Sequence, residues 1–457
     1  MDVSGKRVLV IGLGSSGEAA ARLLRSQGAH VLVVDDSAGD QQKERAARLE
    51  GLGVELLLGK KLPAGERFDF GVISPGVSFN NDAAIQLRAA GVQIIGEFEL
   101  GYRFSRCLNV SVTGTNGKTT TTELIAEMLS GAQRKTLAAG NIGLPICDVV
   151  GQTKDLDVLT LEVSSFQLES IEFFRPAIAV VTNLAPDHLD RYATWRDYVN
   201  AKAHIFRNQQ SFDWAVIQHE ALAQFRELGV EPPSKLITYS ARDSAADLFL
   251  DRSLIVSRLD GWTGPLLDTM DCRLSGLHNA ENLMAALAVG RILRLTLAEM
   301  LHSLKAFESK AHRCEVVAEI SGVKFINDSK ATNVHALISA LESMPMLLDR
   351  GQNIFLIAGG RDKGLDYSEA CEWISRRVKH AFLIGETRER LRADWSGVTA
   401  CTFADSMLEA TQQARRLAVS GDVILLSPAC ASFDAFENYK KRGEAFREAV
   451  QMLTVEA

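Results

Sequence analysis

Residues 113–122 read TGTNGKTTTT and follow the alternating stretch LNVSV. A common phosphate cradle runs glycine, four residues, then Gly-Lys-Ser/Thr. Val112 stands where that first glycine belongs, and the nearest glycine is Gly114, so this loop is clipped. The parts of an anion site are still present in Gly114, Thr115, Asn116, Gly117, Lys118, Thr119 and Thr120. Glycines let the backbone curl around oxygen atoms, and the N–H groups of the first helical turn point at the anion. Lys118 supplies charge for the outer phosphates of a nucleotide, and the Thr119 hydroxyl suits Mg²⁺. The chemistry to expect is work on the phosphates of ATP. A glycine turn that merely caps a helix is the competing reading, and the Lys-Thr pair after a strand argues against it.

Such a loop calls for acidic groups at the carboxyl ends of neighbouring strands. Glu162 interrupts the apolar run LTLEV, where an unpaired carboxylate is costly to bury. Asp187 and His188 follow AIAVVTN in the stretch NLAPDHLDR. Taken singly, each fits a structural hydrogen-bonding role; beside the phosphate loop they are expected to form a Mg²⁺ site. Lys202 lies in TWRDYVNAKAHIFRN, four residues after Tyr198 and three before Ile205. On composition alone it is a lysine whose stem packs while its ammonium reaches water. Near the start, Gly12, Gly14 and Gly17 in GLGSSG, followed by Asp35, match a dinucleotide fingerprint. By itself that motif favours an NAD-dependent oxidoreductase.

The elements that must hold these residues alternate. RVLVIG, EAAARLLRSQG and HVLVVDD predict a β-α-β start, continued by strands at 68–74 and 92–97. A second series begins at LNVSV. Leu124, Ile125, Met128 and Leu129 mark one helix face behind the loop, and strands are predicted at 157–163 and 177–183. A third series runs VKFIND, NIFLIAGG, HAFLIGE and DVILLSPA. Strands alternating with helices three times over predict three α/β domains with largely parallel sheets. The first and third are expected to be Rossmann-like, and the second a phosphate-loop ATPase domain. Boundaries are placed at 1–97, 98–309 and 310–457. The stretch 240–275 matches neither period.

The totals narrow the class. A chain of 457 residues is too long for one core. Its seven cysteines are scattered without a CxxC pair, which argues against a disulfide framework and gives no zinc spacing. A net charge of −7 offers no global field for nucleic acid, so any phosphate site must rest on local donors. No apolar run approaches the roughly 20 residues of a membrane helix, and the N-terminal stretch has no cleavable-looking signal. A cytoplasmic protein without membrane insertion is expected.

TGTNGKTTTTE, AGNIGLP, LEVSSFQLE, APDHLDRY, AKAHIF, LHNAEN, AHR, NDSKATN and SPACASFD occur in this order. Together they resemble the Mur ligases, the ATP-dependent amide-bond formers of bacterial cell-wall precursor synthesis, and within them the MurD type. The clipped loop is that family's normal form. The resemblance covers nearly the whole chain and implies a peptide synthase that joins D-glutamate to UDP-N-acetylmuramoyl-L-alanine through an acyl phosphate. It implies ATP and two Mg²⁺ sites as cofactors, without NAD or zinc, and a monomer. Lys118 and Thr119 would bind phosphates and Mg²⁺, with Glu162 on the same metal. His188 would serve a second Mg²⁺ shared with Lys202, carbamylated into an anionic ligand. Asn279 and Asn282 resemble adenine and ATP contacts, Arg313 a phosphate contact, and Asp328 a ribose contact. Lys330, Thr332, Lys363, Ser432, Phe433 and Tyr439 match positions around the incoming amino acid. In the first domain the resemblance replaces NAD with the UDP part of the substrate. Ser15 and Ser16 would face the diphosphate, and Asp35 and Asp36 the uracil, with Gly76, Asn141 and His188 completing the site. Asp36-Ser37 stands where some relatives carry a threonine and an arginine. The Asp-Asn-Pro-Arg stretch of the diamino-acid ligases is absent from the sequence. Folylpolyglutamate synthase shares the clipped loop but lacks such a first domain.

Overall fold

A computed structural model describes residues 1–308, 310–344 and 351–455. The strands form three sheets, and each consists mainly of parallel neighbours. β1 (Arg7–Ile11), β2 (His30–Asp35), β3 (Glu55–Leu58), β4 (Phe70–Ile73) and β5 (Ile94–Gly96) make a five-stranded sheet in the order β3-β2-β1-β4-β5. Its pairings are all parallel, and the chain changes direction across the sheet between β1 and β4. Helices cover both faces of a parallel sheet, so its strands are apolar throughout rather than alternating. Leu9, Ile11, Leu32, Val34 and Ile73 accordingly share one core with Ala83, Ala84 and Leu87 of the helix Asp82–Ala89.

The second sheet has nine strands. They are β6 (Leu108–Thr113), β7 (Thr136–Gly140), β8 (Val158–Glu162), β9 (Ile178–Val181), β10 (Trp214–Gln218), β11 (Lys235–Ser240), β12 (Leu248–Asp251), β13 (Leu254–Ser257) and β14 (Gly264–Asp268). Their order is β14-β13-β12-β11-β10-β9-β6-β8-β7, so the strand feeding the phosphate loop lies inside the sheet, between β8 and β9. Leu124, Ile125, Met128 and Leu129 of the helix Lys118–Gly131 are buried, as their spacing predicts. The unread stretch 240–275 holds β12 and β13, an antiparallel hairpin in which Asp251 faces Leu254. Its two-residue turn is Arg252-Ser253, with Arg252 at φ 56°. Asparagine or glycine ordinarily marks such a turn, so the sequence carries no hairpin signal there.

The third sheet comprises β15 (Glu315–Ile320), β16 (Val323–Asn327), β17 (Ile354–Gly359), β18 (Val378–Ile384), β19 (Ala400–Phe403) and β20 (Val423–Leu426). The order is β15-β16-β20-β17-β18-β19, parallel except for the β15–β16 pair. Two apolar cores sandwich it. Leu356, Ala358 and Leu383 pack with Leu337, Leu341 and Trp395 on one face. Ile357, Phe382 and Ile424 pack with Met407, Ala414 and Phe446 on the other.

The chain divides into two compact units. The first is Met1–Asn183, Val199–Leu267 and Glu281–Leu304; the second is Leu184–Tyr198, Asp268–Ala280 and the described residues of Lys305–Ala457. Within the first unit, the helix Glu97–Phe104 at the expected 97/98 junction is tied to the nine-stranded sheet's body by buried acids. Glu99, fully buried, accepts the backbone N–H groups of Glu172, Phe173 and Phe174 at 2.9–3.1 Å and the Arg103 side chain at 2.8 Å. Glu97 accepts the Cys147 N–H at 2.9 Å through Oε1, and among the described residues its buried Oε2 has no hydrogen-bond partner.

Burial pushes the Glu97 pKa up from the usual carboxylate range to about 7. The folded state then binds a proton that the unfolded chain has lost, so stability falls as pH rises between about 4.5 and 7. That difference corresponds to about 3 kcal/mol. Glu97→Gln, which cannot ionise, should remove this slope relative to the wild type in urea unfolding at pH 5 and pH 8. Parallel pH dependences of the two proteins would show that Glu97 stays charged when folded.

Candidate active site

Gly114 and Gly117 adopt φ of 137° and 81°, which side chains rarely tolerate, and the helix begins at Lys118. A Cβ on Gly117 would lie 2.6 Å from Asn282 Oδ1, and one on Gly114 would lie 2.0 Å from Thr182 Oγ1. The loop is therefore shaped by its neighbours as well as by its glycines. Thr115 N–H donates to the Asn183 carbonyl at 2.8 Å and Asn116 N–H to Asn183 Oδ1 at 2.9 Å. Thr182 Oγ1 and Asn183 Nδ2 both donate to the Asn116 carbonyl. Thr182 and Asn183 were not singled out by sequence reasoning. Their only signal is polar residues ending an apolar strand next to the loop.

Lys118 Nζ donates back to the carbonyls of Gly114 at 3.0 Å and Thr115 at 2.7 Å. Lys202 Nζ meets the same Gly114 carbonyl at 2.6 Å. Its residue is only 1% exposed, which overturns the reading of a lysine whose ammonium reaches water. The helix Trp195–Ala203 aims the side chain inward, and the carbonyl-lined loop supplies the polar partner that solvent would otherwise provide. Thr119 Oγ1 donates to Glu162 Oε2 at 2.5 Å, and Asn141 Nδ2 donates to Oε1 at 2.6 Å. The carboxylate in the apolar run is thus fully engaged. Asn141, expected on the UDP side, has its amide on Glu162 beside the phosphate loop. Thr120 is buried in the first turn, and Asn282 accepts the Thr121 hydroxyl at 3.0 Å.

At the five-stranded sheet, Ser15 and Ser16 open the helix Ser15–Ser26 behind the Gly14 cap. Gly17 is required by close approach, because a Cβ there would lie 1.8 Å from the Gly12 carbonyl. Asp35, at the end of β2, accepts the Leu13 N–H at 2.6 Å and the Ser37 N–H at 2.8 Å, so it braces the glycine turn. Asp36 accepts Asn81 Nδ2 at 2.7 Å. Ser74 Oγ donates to the Gly12 carbonyl at 3.0 Å, in the turn that carries Gly76. These loops flank the β1/β4 reversal, where ligands of open α/β sheets bind.

In the second unit, Asp187 is buried, with Lys363 Nζ 2.9 Å from Oδ1 and Asn333 Nδ2 3.0 Å from Oδ2. Burial pushes its carboxyl up, but the Lys363 ammonium and the neighbouring His188 outweigh that and hold it well below the usual carboxylate range. His188 itself sits at φ 55°, a strained conformation for a non-glycine residue. Arg313 lies between His312 and Cys314, at φ 68° and 46°. Asp328, just past β16, accepts Ser427 Oγ at 3.0 Å and the Cys314 N–H at 3.2 Å, and burial lifts its pKa to about 7. Lys330 stands over the Tyr439 ring, 4.1 Å from its centroid. Ser432 is buried and Thr332 half-buried, whereas Phe433 is 65% exposed. Asn279 Nδ2 donates to the Ser275 carbonyl at 2.8 Å.

Sequence reasoning missed Arg442. Its guanidinium is buried and spans Ser329, Gly359, Cys430 and Ala431 through contacts of 2.9–3.4 Å. One side chain thus joins the three loops that carry Lys330, Lys363 and Ser432. Nothing in the surrounding stretch KKRGEAF marks it.

Residues 6–96 match the model of a Mur ligase MurD-like N-terminal domain, and residues 112–290 that of a Mur ligase middle domain. Residues 312–430 match a Mur ligase glutamate ligase domain. Over 458 residues the chain is 39% identical to the UDP-N-acetylmuramoylalanine–D-glutamate ligase of Geotalea daltonii, covering 99% of both chains. It is 40% identical to the enzyme of the same name from Pelotomaculum thermopropionicum over 459 residues, again with 99% of each covered. The chain belongs to the Mur ligase family. Among solved structures, the MurF ligase of Thermotoga maritima in complex with ADP matches over 99% of this chain and 99% of its own, at TM-score 0.63 and 16% identity. That likeness shows a shared Mur ligase fold. Within this Mur ligase, the clipped loop, Glu162 and the buried Lys202 form one polar cluster in the first unit. Asp187, Lys363 and the loops joined by Arg442 form another in the second. Among the described residues no group of three or more His, Cys, Asp or Glu side chains is arranged to hold a metal, and no helix is long and apolar enough to cross a membrane.

Proposed function

We propose that this Mur ligase is an ATP-dependent acid–amino-acid ligase that joins D-glutamate to UDP-N-acetylmuramoyl-L-alanine in peptidoglycan precursor synthesis. The observation that carries the reading is whole-chain similarity to relatives named for that reaction, together with a phosphate loop onto which two lysines converge. An amine does not displace oxide from a carboxylate. Phosphoryl transfer to the substrate carboxylate gives an acyl phosphate, whose phosphate leaves when the amine attacks. The protein's task is to bring two anions together and hold them in line. Lys118 and the N–H groups of the loop would neutralise and orient the phosphates.

Thr119 and Glu162 offer adjacent hydroxyl and carboxylate oxygens, the donor type a hard divalent cation takes. They would hold Mg²⁺, which when bound supplies charge neutralisation between the two anions. Two ammonium groups sharing the Gly114 carbonyl repel each other, and carbamylation of Lys202 would turn that repulsion into attraction. His188 is the further residue assigned to the second metal. Residues 1–97 would take the UDP part through Ser15, Ser16, Asp35, Asp36 and Gly76. Residues 98–309 would take ATP, with Asn279 and Asn282 near the base and Arg313 and Asp328 from the last domain. Residues 310–457 would take glutamate through Lys330, Thr332, Lys363, Ser432 and Tyr439. Phe433 would flank that site with its ring exposed to solvent. The protein would act in the cytoplasm as a monomer.

Phosphate release with UDP-N-acetylmuramoyl-L-alanine and a panel of amino acids tests the reading. D-Glutamate should give turnover, whereas L-glutamate, lysine and diaminopimelate should not. A preference for any of those three would overturn the assigned specificity.

A further inference from the structure

The Asp187–Lys363 pair consists of an anion fixed in place and a cation on a flexible stem. Asp187 is 5% and Lys363 8% exposed. Asn333 caps the helix Val334–Ser343 by accepting the Ala336 N–H at 2.9 Å, so the amide that donates to Asp187 is held in one orientation. The His188 N–H at 2.8 Å fixes the other oxygen of the carboxylate. Lys363, in contrast, lies in a loop containing Gly359, Gly360 and Gly364, all at positive φ, and can swing on its four-carbon stem. Drawing that ammonium away would leave the buried carboxylate beside the His188 imidazole, 3.8 Å from Oδ2, which is charged only when protonated, and a buried carboxylate without a full counter-ion is strongly unfavourable. A ligand that takes Lys363 with its own carboxylate must therefore bring a cation for Asp187. An α-amino acid carries both charges on adjacent atoms of one small skeleton.

We propose that Asp187 is a specificity-determining residue that receives the α-ammonium group of the incoming amino acid while Lys363 receives a carboxylate. The internal ion pair is exchanged for two intermolecular ones, and no charge is stranded. This rests on the reading of Lys363 as an amino-acid-binding residue. It differs from a role in which Asp187 only aims Lys363, because that role gives Asp187 no preference for an amine.

D-Glutamate and glutarate, which lacks the amine, separate the two roles. Wild type should bind D-glutamate at least about tenfold more tightly than glutarate, the scale of one charge-assisted hydrogen bond. In Asp187→Asn that ratio should fall towards one, with glutarate binding no more weakly than to wild type. Equal weakening of both ligands at an unchanged ratio would overturn the proposal. Should Asp187→Asn lose its cooperative melting transition, Lys363→Gln carries the test: both ligands should weaken while glutamate keeps its margin. Loss of that margin in Lys363→Gln would also overturn it. Absence of turnover with D-glutamate in the wild type, by contrast, overturns the underlying functional reading.

Discussion

Lys118→Ala should lower ligation by about a thousandfold or more, the scale on which removal of a transition-state charge is felt in phosphoryl transfer. The reaction's first step presses a terminal phosphate against a carboxylate, and like charges meeting in a loop with little water repel strongly. Lys118 is the first residue of the helix behind the loop, with its ammonium on the Gly114 and Thr115 carbonyls. An anion entering the loop meets that ammonium together with the first-turn N–H groups. Its stem is half-buried and contributes little to the core, so the variant's melting temperature should stay close to that of wild type. Phosphate release at saturating substrates is the measurement, and near-normal turnover in the folded variant would end the phosphate-loop assignment. Lys118→Arg should recover only part of the loss, because a planar guanidinium does not place its charge where a compact ammonium does.

Lys202→Ala should cost at least about a hundredfold in ligation, and here the manner of rescue decides the mechanism. The structure shows an ammonium donating to the Gly114 carbonyl at 2.6 Å, in a residue 1% exposed. If Lys202 works as a carbamate, a short-chain carboxylic acid in the vacated space should restore activity, and bicarbonate depletion should slow the wild type. If it works as the ammonium that shapes the loop, methylammonium should restore activity and carboxylic acids should not. Assays of the variant with each additive at fixed ionic strength distinguish the two. A fully active Lys202→Ala protein would remove the residue from the site altogether. Its burial already argues against a surface role.

The parts with strong local causes were legible in the sequence. Parallel strands buried on both faces are apolar along their length, so RVLVI, VLTLE, IAVV and IFLIAG stand out between helices. Glycine at positive φ before Lys-Thr is a local steric requirement, and it marks the phosphate loop without reference to the rest of the fold. The Arg252-Ser253 hairpin escaped notice because its turn lacks the residues that usually adopt its conformation.

What only the tertiary structure decided is which polar groups satisfy one another. Sequence spacing says that Glu162 is a carboxylate in an apolar run; the fold supplies Thr119 and Asn141 to engage it. Spacing made Lys202 an ordinary amphipathic lysine, whereas the fold buries it on Gly114, 88 residues away along the chain. Lys363 reads as a cation for a ligand, but the chain's own Asp187 already holds it, a partner 176 residues distant. Arg442 gathers carbonyls from loops that no local pattern connects. Local backbone preference and apolar periodicity act over a few residues, so they are written into the sequence itself. The partner of a buried charge is set by chain reversal across whole sheets, and low dielectric makes that choice costly to leave unmade. The sequence alone therefore determined the three α/β sheets and the phosphate loop, and tertiary packing determined which side chains engage that loop and which meet around Asp187.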